Sequence, residues 1–312
     1  MSDADAPFAP PERLTTADGL RLFLTTTAKS PVFERFFAGY DRAFVLPNEK
    51  EDAEGFARCF DLNHGADYAR LSALYGPYRE VSFVAEDAAD GATIGGANFI
   101  AMPVADAIVT ANLNYIYIEQ ARRGKGDFSR LYAAVREAVA SAFPAQAAGG
   151  AQVLIFIEQN DPFRMSEEDY RRDSDFTGLD QFDRLRIWAK RGAKVVDFSY
   201  VQPPLSADQD ADDTLLYSVL GAPGDSLSAC VLEGHLRRFF GVSVLKGANL
   251  ADNKPASAQV EALHRGCIAG EEIALLDPAP LLSRIRVRDD AFALWQTPPK
   301  TGRDAVRAAA LL

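Results

Sequence analysis

The stretch that most constrains this chain is residues 81–143, where three strand-like segments in a row run into a basic glycine loop and a long alanine-rich helix. Val81–Glu86 carries the β-branched and aromatic residues of a strand, Asp90-Gly91 is a hairpin turn, and Thr93–Met102 returns. Ala111–Glu119 supplies a third strand, so this part of the sheet reads as an antiparallel meander. Arg122-Arg-Gly-Lys-Gly126 follows. Asp127 to about Phe143 then has helical spacing, and Pro144 and the Gly149-Gly150 pair stop it. A buried-type strand, Val153–Glu158, comes next. No internal repeat is present, and the order of elements reads as an α/β fold.

Upstream, the acidic, Pro- and Ala-rich residues 1–15 read as a disordered tail and Arg21–Thr27 as a first strand. Ser30 is an N-cap and Pro31 a first-turn residue for a helix over Val32–Phe44, which Pro47 ends. Asn48 is placed to cap a second helix that runs to about Leu62, before the turn formers Asn63, His64 and Gly65. Downstream, a charged insertion, Asp161–Asp180, leads into a helix ending Leu185–Arg191, with Gly192 suited to stop it. Lys194–Val201 and Thr214–Leu220 read as two further strands, with Pro203-Pro204 and the acidic run Asp208–Asp213 in a loop between them. From Pro223 the pattern turns helical, most clearly over Leu227–Phe240. The expected organisation is a tail (1–15), a main domain (16–222) and a mainly helical C-terminal extension (223–312).

Composition narrows the function classes. At 312 residues and 48% hydrophobic, the chain has material for one large domain or two small ones. No apolar run approaches the ~20 residues of a membrane-spanning helix, and the N-terminus lacks the basic and apolar regions of a secretory signal. A cytoplasmic protein without membrane attachment is expected. The formal net charge of −11 repels phosphate backbones, which argues against nucleic-acid binding and favours a cationic or amine substrate. Cys59, Cys230 and Cys267 are few, odd in number and far apart, so they read as small buried hydrophobes in a reducing compartment. The histidines, His64, His235 and His264, stand apart with no ligand spacing, so no metal site is expected.

The glycine loop carries the chemistry. Backbone N–H groups at a helix N-terminus have no intrahelical partner, and with the helix dipole they attract an anion. Glycine lets the anion approach that backbone, and Arg123 and Lys125 add charge. The same residues also suit a plain tight turn. A dinucleotide loop requires a glycine where Ser129 stands, and the phosphate-loop pattern G-x-x-x-x-G-K-[ST] is absent.

The order of strands, loop and helix resembles the GNAT superfamily of acyl-CoA-dependent N-acetyltransferases, over about Arg21–Leu220. The resemblance implies a mixed, mostly antiparallel seven-stranded sheet flanked by helices. It also implies that Arg123, Gly124, Lys125, Gly126, Asp127 and Phe128 hold the CoA pyrophosphate, with Phe128 where the family has a small residue. Asn160, just after the fifth strand, takes the place of an asparagine that contacts the pantetheine arm. Trp188 stands where the family has a tyrosine that protonates the leaving thiolate.

These features define the expected function: transfer of an acetyl group from acetyl-CoA to a small-molecule or peptide amine by direct attack on the thioester. The alternative is a non-catalytic acyl-CoA-binding or sensing module. Backbone groups near Ile118 and Gln120 are expected to pair with the pantetheine amides. Glu119 and Glu158, at the ends of their strands, are candidate bases. Tyr200 is the candidate acid in place of Trp188. Tyr115 and Tyr117 share a sheet face and read as core or pocket wall. The C-terminal extension is expected to pack on the sheet or to bridge a homodimer.

Overall fold

The computed structural model describes residues 14–44, 50–105, 107–204 and 209–311. The expected Pro47 break, the Asn48 cap and the Asp208 end of the acidic run lie outside them. The chain forms two compact units. One is the chain through Ile155 together with Gly234–Leu250; the other is Phe156–Glu233 with Ala251–Leu312.

In the first unit, β1 (Leu14–Thr15), β2 (Leu20–Thr25), β3 (Arg79–Asp87), β4 (Thr93–Ala105) and β5 (Ile108–Ile118) pair antiparallel in that order. The meander is present as expected. Leu14 and Thr15, assigned to the tail, instead pair with Leu22 and Arg21. α1 (Pro31–Ala43) begins where Ser30 Oγ accepts the amide of Phe33 at 3.1 Å. α2 (Ala53–Asp61) is capped by Asp52, which accepts the amide of Gly55 at 2.7 Å. The Asn63-His64-Gly65 turn leads into a further helix, α3 (Gly65–Tyr75), which the pattern did not reveal.

The phenylalanine spacing of α1 places Phe33, Phe36 and Tyr40 against Phe56 and Phe60 of α2, over Val84, Tyr115 and Tyr117. Phe33 meets Phe60 edge-on at 5.6 Å and Tyr40 meets Tyr115 at 4.8 Å, the tilted geometries that aromatic quadrupoles favour. Tyr115 and Tyr117 are therefore packing residues. α4 (Asp127–Ala142) packs against β2, β4 and β5, and α5 (Pro144–Ala148) follows it.

The chain passes from the first unit to the second within β6 (Gln152–Asn160). In the second unit come α6 (Glu167–Thr177), inside the charged insertion, and α7 (Gln181–Ala189). β7 (Lys194–Val196) is far shorter than the expected Lys194–Val201. Beyond it the amides of Phe198 and Tyr200 bond back two residues, to Val196 O and Phe198 O, which curls the chain out of the strand. β8 (Leu215–Leu220) pairs antiparallel with β7. β9 (Ser226–Ser228), α8 (Ala229–Phe239), α9 (Lys254–Ala269), β10 (Glu272–Leu276), α10 (Ala279–Leu282), α11 (Arg288–Ala293) and α12 (Gly302–Ala309) complete the elements, and α8 enters the first unit at Gly234.

The strand order is β1-β2-β3-β4-β5-β6-β8-β7-β10-β9, ten strands among the described residues where seven were expected. The three added strands are β1, β9 and β10. β10 pairs antiparallel with β7 and with β9, so the region read as mainly helical also contributes strands. A five-residue run such as Glu-Ile-Ala-Leu-Leu is too short for periodicity to separate strand from helix. The pairings β1–β2, β2–β3, β3–β4, β4–β5 and β7–β8 are antiparallel, and helices flank the sheet, as an α/β fold requires.

The cysteine reading needs a correction. Cys230, at the start of α8, and Cys267, near the end of α9, are joined by a disulfide, with Cα atoms 4.5 Å apart. Only Cys59 is a free, buried thiol. The two helices bring together residues 37 positions apart, which spacing alone does not disclose.

Candidate functional site

In the first unit, β5 ends at Ile118, whose neighbour Glu119 donates its amide to Ile94 O at 2.9 Å. Gln120 opens a single 3-10 turn through Arg122, and the loop then rises into α4 with Gly126 as its N-cap. Gly124 and Gly126 have φ of +74° and +85°, the left-handed region that L side chains avoid. A Cβ built at either glycine meets nothing within 4 Å, so the backbone there faces open space. No side chain caps α4. Arg123, Gly124, Lys125 and Gly126 are exposed, and neither cation forms an ion pair among the described residues. Phe128 is half-buried. An open, glycine-lined helix N-terminus with two exposed cations fits a polyanion.

Asp127 is arranged differently. It is 4% exposed, and its carboxylate accepts Arg122 Nε at 2.8 Å and Arg130 Nη1 at 3.1 Å. Only its backbone is left for an anion. Glu119, the candidate base of this unit, forms an ion pair with Arg42 at 2.8 Å.

The second unit holds Glu158, Asn160 and Tyr200. The Tyr200 hydroxyl donates to Glu158 Oε1 at 2.5 Å and is also bonded to the Gln202 side chain. The Tyr200 ring, 5% exposed, stacks on Tyr217 at 4.3 Å and 8°. Burial, and then the neighbouring Glu158 carboxylate, push the phenol well above its ordinary value of 10. Two residues chosen separately from the sequence are thus one hydrogen-bonded pair. Gln259 fixes the adjoining backbone, accepting the Val201 amide at 2.9 Å and donating to Val201 O at 2.8 Å.

Asn160 Nδ2 lies 3.5 Å from Asp173 Oδ2 in the inserted helix, and Asp173 also accepts Gln181 and, at 3.1 Å, Arg184. The insertion is therefore tied to the end of β6 rather than merely solvated. Trp188 lines a small cavity with Phe163, Leu185, Val195 and Leu216, an apolar packing site with Gln159 and Ser218 at its polar edge. Among the described residues no acidic side chain lines it.

One chemically unusual residue escaped the sequence reading. Glu80, on β3, is 1% exposed. Ser243 Oγ donates to it at 2.6 Å and Asn114 Nδ2 at 3.1 Å. Asn114 bonds in turn to Asn98 at 2.8 Å and Asn112 at 3.0 Å. Ser243 lies in a buried π-turn, Phe240–Val244, an irregularity that re-aims a helix end. Burial dominates the donors and pushes the Glu80 carboxyl from 4.5 to about 7. A signal was available: asparagine is depleted in strands, yet Asn98, Asn112 and Asn114 sit in adjacent ones.

No protein-family model matches the chain, and no curated protein matches it. Several solved structures resemble it. Apo FdhC, a nucleotide-linked sugar GNAT, is 12% identical, with 72% of this chain and 94% of that chain covered at a TM-score of 0.34. A variant of the spermidine N-acetyltransferase SpeG from Vibrio cholerae is 14% identical, covering 65% and 93% at 0.33. An aminoglycoside 6'-N-acetyltransferase complexed with coenzyme A is 16% identical, covering 52% and 83% at 0.29. Likenesses this distant assign no chemistry to this chain. Acetyltransferases and a GNAT protein are thus among the solved structures it resembles.

Proposed function

We propose that this chain binds acetyl-CoA and transfers its acetyl group to an amine. The observation that carries the reading is the loop of Arg123–Gly126: two glycines at positive φ with open space beside them, two exposed cations and an uncapped helix N-terminus. The donors suit the pyrophosphate of CoA, and the glycines give the close approach that it needs.

In direct transfer the amine nitrogen forms a bond to the thioester carbon, the carbon–sulfur bond breaks, and the amine loses a proton while the thiolate gains one. Glu158 is our preferred proton acceptor, with Tyr200 holding its carboxylate in place; Glu119 is the second choice. Burial beside Glu158 makes the Tyr200 phenol a weaker acid toward a thiolate than an ordinary phenol. Trp188, standing where the resembled family has a tyrosine, favours a second reading, an acyl-CoA-binding module without turnover. We expect no nucleic-acid partner. Among the described residues no helix is long and apolar enough to cross a membrane.

Calorimetric titration with CoA, NAD and ATP tests the binding reading, and release of free CoA thiol from acetyl-CoA with a panel of amines tests turnover. CoA should bind best of the three. Gly126→Val places a branched side chain at φ +85° in the anion's path and should weaken CoA binding at least about ten-fold, ~1.4 kcal/mol. A protein that shows no heat with millimolar CoA refutes the reading.

A further inference from the structure

We propose that Asp127, Asp87, Arg122 and Arg130 form a brace that positions the Arg123–Gly126 loop for an anion, a proposal that rests on the reading of that loop as the CoA pyrophosphate site. Arg122 and Asp127 are the residues immediately before and after the four-residue loop, and the bond from Arg122 Nε to Asp127 Oδ2 at 2.8 Å closes it into a ring. Arg130, one helical turn on, takes the other carboxylate oxygen at 3.1 Å. Arg130 also reaches Asp87 at 2.8 Å and Asp18 O at 3.1 Å, and Arg122 reaches Asp87 at 3.3 Å and Asp90 at 3.4 Å. The loop ends are thereby fastened to the β3–β4 hairpin.

The loop needs such a restraint. Two of its four residues hold positive φ, and all four are exposed. The backbone bonds at its two ends include Arg123 N to Gln120 O at 3.3 Å and Ser129 N to Gly126 O at 3.0 Å. Ordering an exposed glycine loop costs conformational entropy, and holding it in advance removes that cost from binding.

The charges show that the cluster is not itself an anion attractor. Three carboxylates, Asp87, Asp90 and Asp127, face two guanidiniums, Arg122 and Arg130, for a net of −1. Both guanidiniums are engaged by these carboxylates, and Arg130 also by Asp18 O. Attraction for phosphate is left to Arg123 and Lys125. Asp127 places a negative charge at the mouth of the proposed anion site, which is unfavourable unless its purpose is to be gripped.

That conflict gives the test a sign. Asp127→Asn removes a negative charge, so electrostatics alone predicts tighter CoA binding, whereas a lost brace predicts weaker binding. We expect Asp127→Asn to weaken CoA binding about ten-fold with the salt dependence unchanged, because Arg123 and Lys125 remain. Without CoA, amide exchange over residues 124–129 should be about ten-fold faster than in the wild type. Asp87→Asn, which is outside the loop, should act in the same direction, and Arg130→Lys, which keeps the charge but loses the fork, should not restore the wild-type affinity. Equal or tighter binding by Asp127→Asn, or unchanged exchange in both asparagine variants, overturns the brace. A wild-type protein that binds no CoA overturns the functional reading instead, and ligand-free exchange still decides the brace.

Discussion

Glu80→Gln isolates the cost of burying a carboxylate in a sheet. Glu80 is enclosed by Asn98, Asn114 and Ser243, and its carboxyl lies at about 7 rather than 4.5. Among the described residues no ion pair forms on it, and the Glu51 carboxylate, which pairs with Lys246 at 2.7 Å, adds to the upward push. Because the folded value is raised, the native state holds the Glu80 proton more tightly than the unfolded chain does. The stabilising contribution is complete below pH ~4.5 and is lost as pH rises toward ~7. The difference of about 2.5 in pKa corresponds to roughly 3 kcal/mol. Glutamine keeps the shape and an acceptor for Asn114 but cannot ionise.

Urea unfolding of both proteins should be followed by circular dichroism at pH 4.5, 6 and 7.5. All other titrations are common to the pair and cancel in the difference. The variant should gain on the wild type by roughly 3 kcal/mol between pH 4.5 and 7.5. A difference that stays flat across that range, or one that favours the wild type as pH rises, refutes the buried-carboxylate reasoning.

Tyr200→Phe removes the hydroxyl bonded to Glu158 but keeps the ring stack on Tyr217. It should lower kcat by roughly 10²-fold and leave the CoA dissociation constant within about two-fold, as steady-state kinetics and calorimetry would show. Thiol titration in denaturant should find one reactive thiol, Cys59, before reduction and three after. Cys230→Ser should lower stability by roughly 2–4 kcal/mol, read as a lower melting temperature that reductant does not lower further.

The legible parts of the fold were those written in local chemistry. The meander was readable because Val81–Glu86, the Asp90-Gly91 turn and Thr93–Met102 combine strand residues with a turn of fixed type. α1 was readable from Ser30, Pro31 and phenylalanines at helical spacing. β9 and β10, three and five residues long, were not, because pairing with another strand rather than local preference makes them strands. The same division holds at the site. The glycines announce an open helix N-terminus, whereas the Arg122–Asp87 and Arg130–Asp87 bonds join residues 35 and 43 positions apart, and the Glu158–Tyr200 bond joins residues 42 apart. Glu80 was passed over because the strand was read as starting at Val81, two residues after its actual start at Arg79.

The first unit is completed by a distant piece of chain. His235 bonds Thr110 at 2.9 Å, Ser243 bonds Glu80 at 2.6 Å, and Lys246 pairs with Glu51 at 2.7 Å. During synthesis these partners arrive late: at ~5–20 residues per second, the 79 residues from Ile155 to Gly234 take roughly 4–16 s. Throughout that interval Glu80 lacks its serine donor and Thr110 its histidine. The nascent unit therefore waits with a polar, unsealed sheet, and a shortened gene product ending at residue 222 would remain in that state permanently.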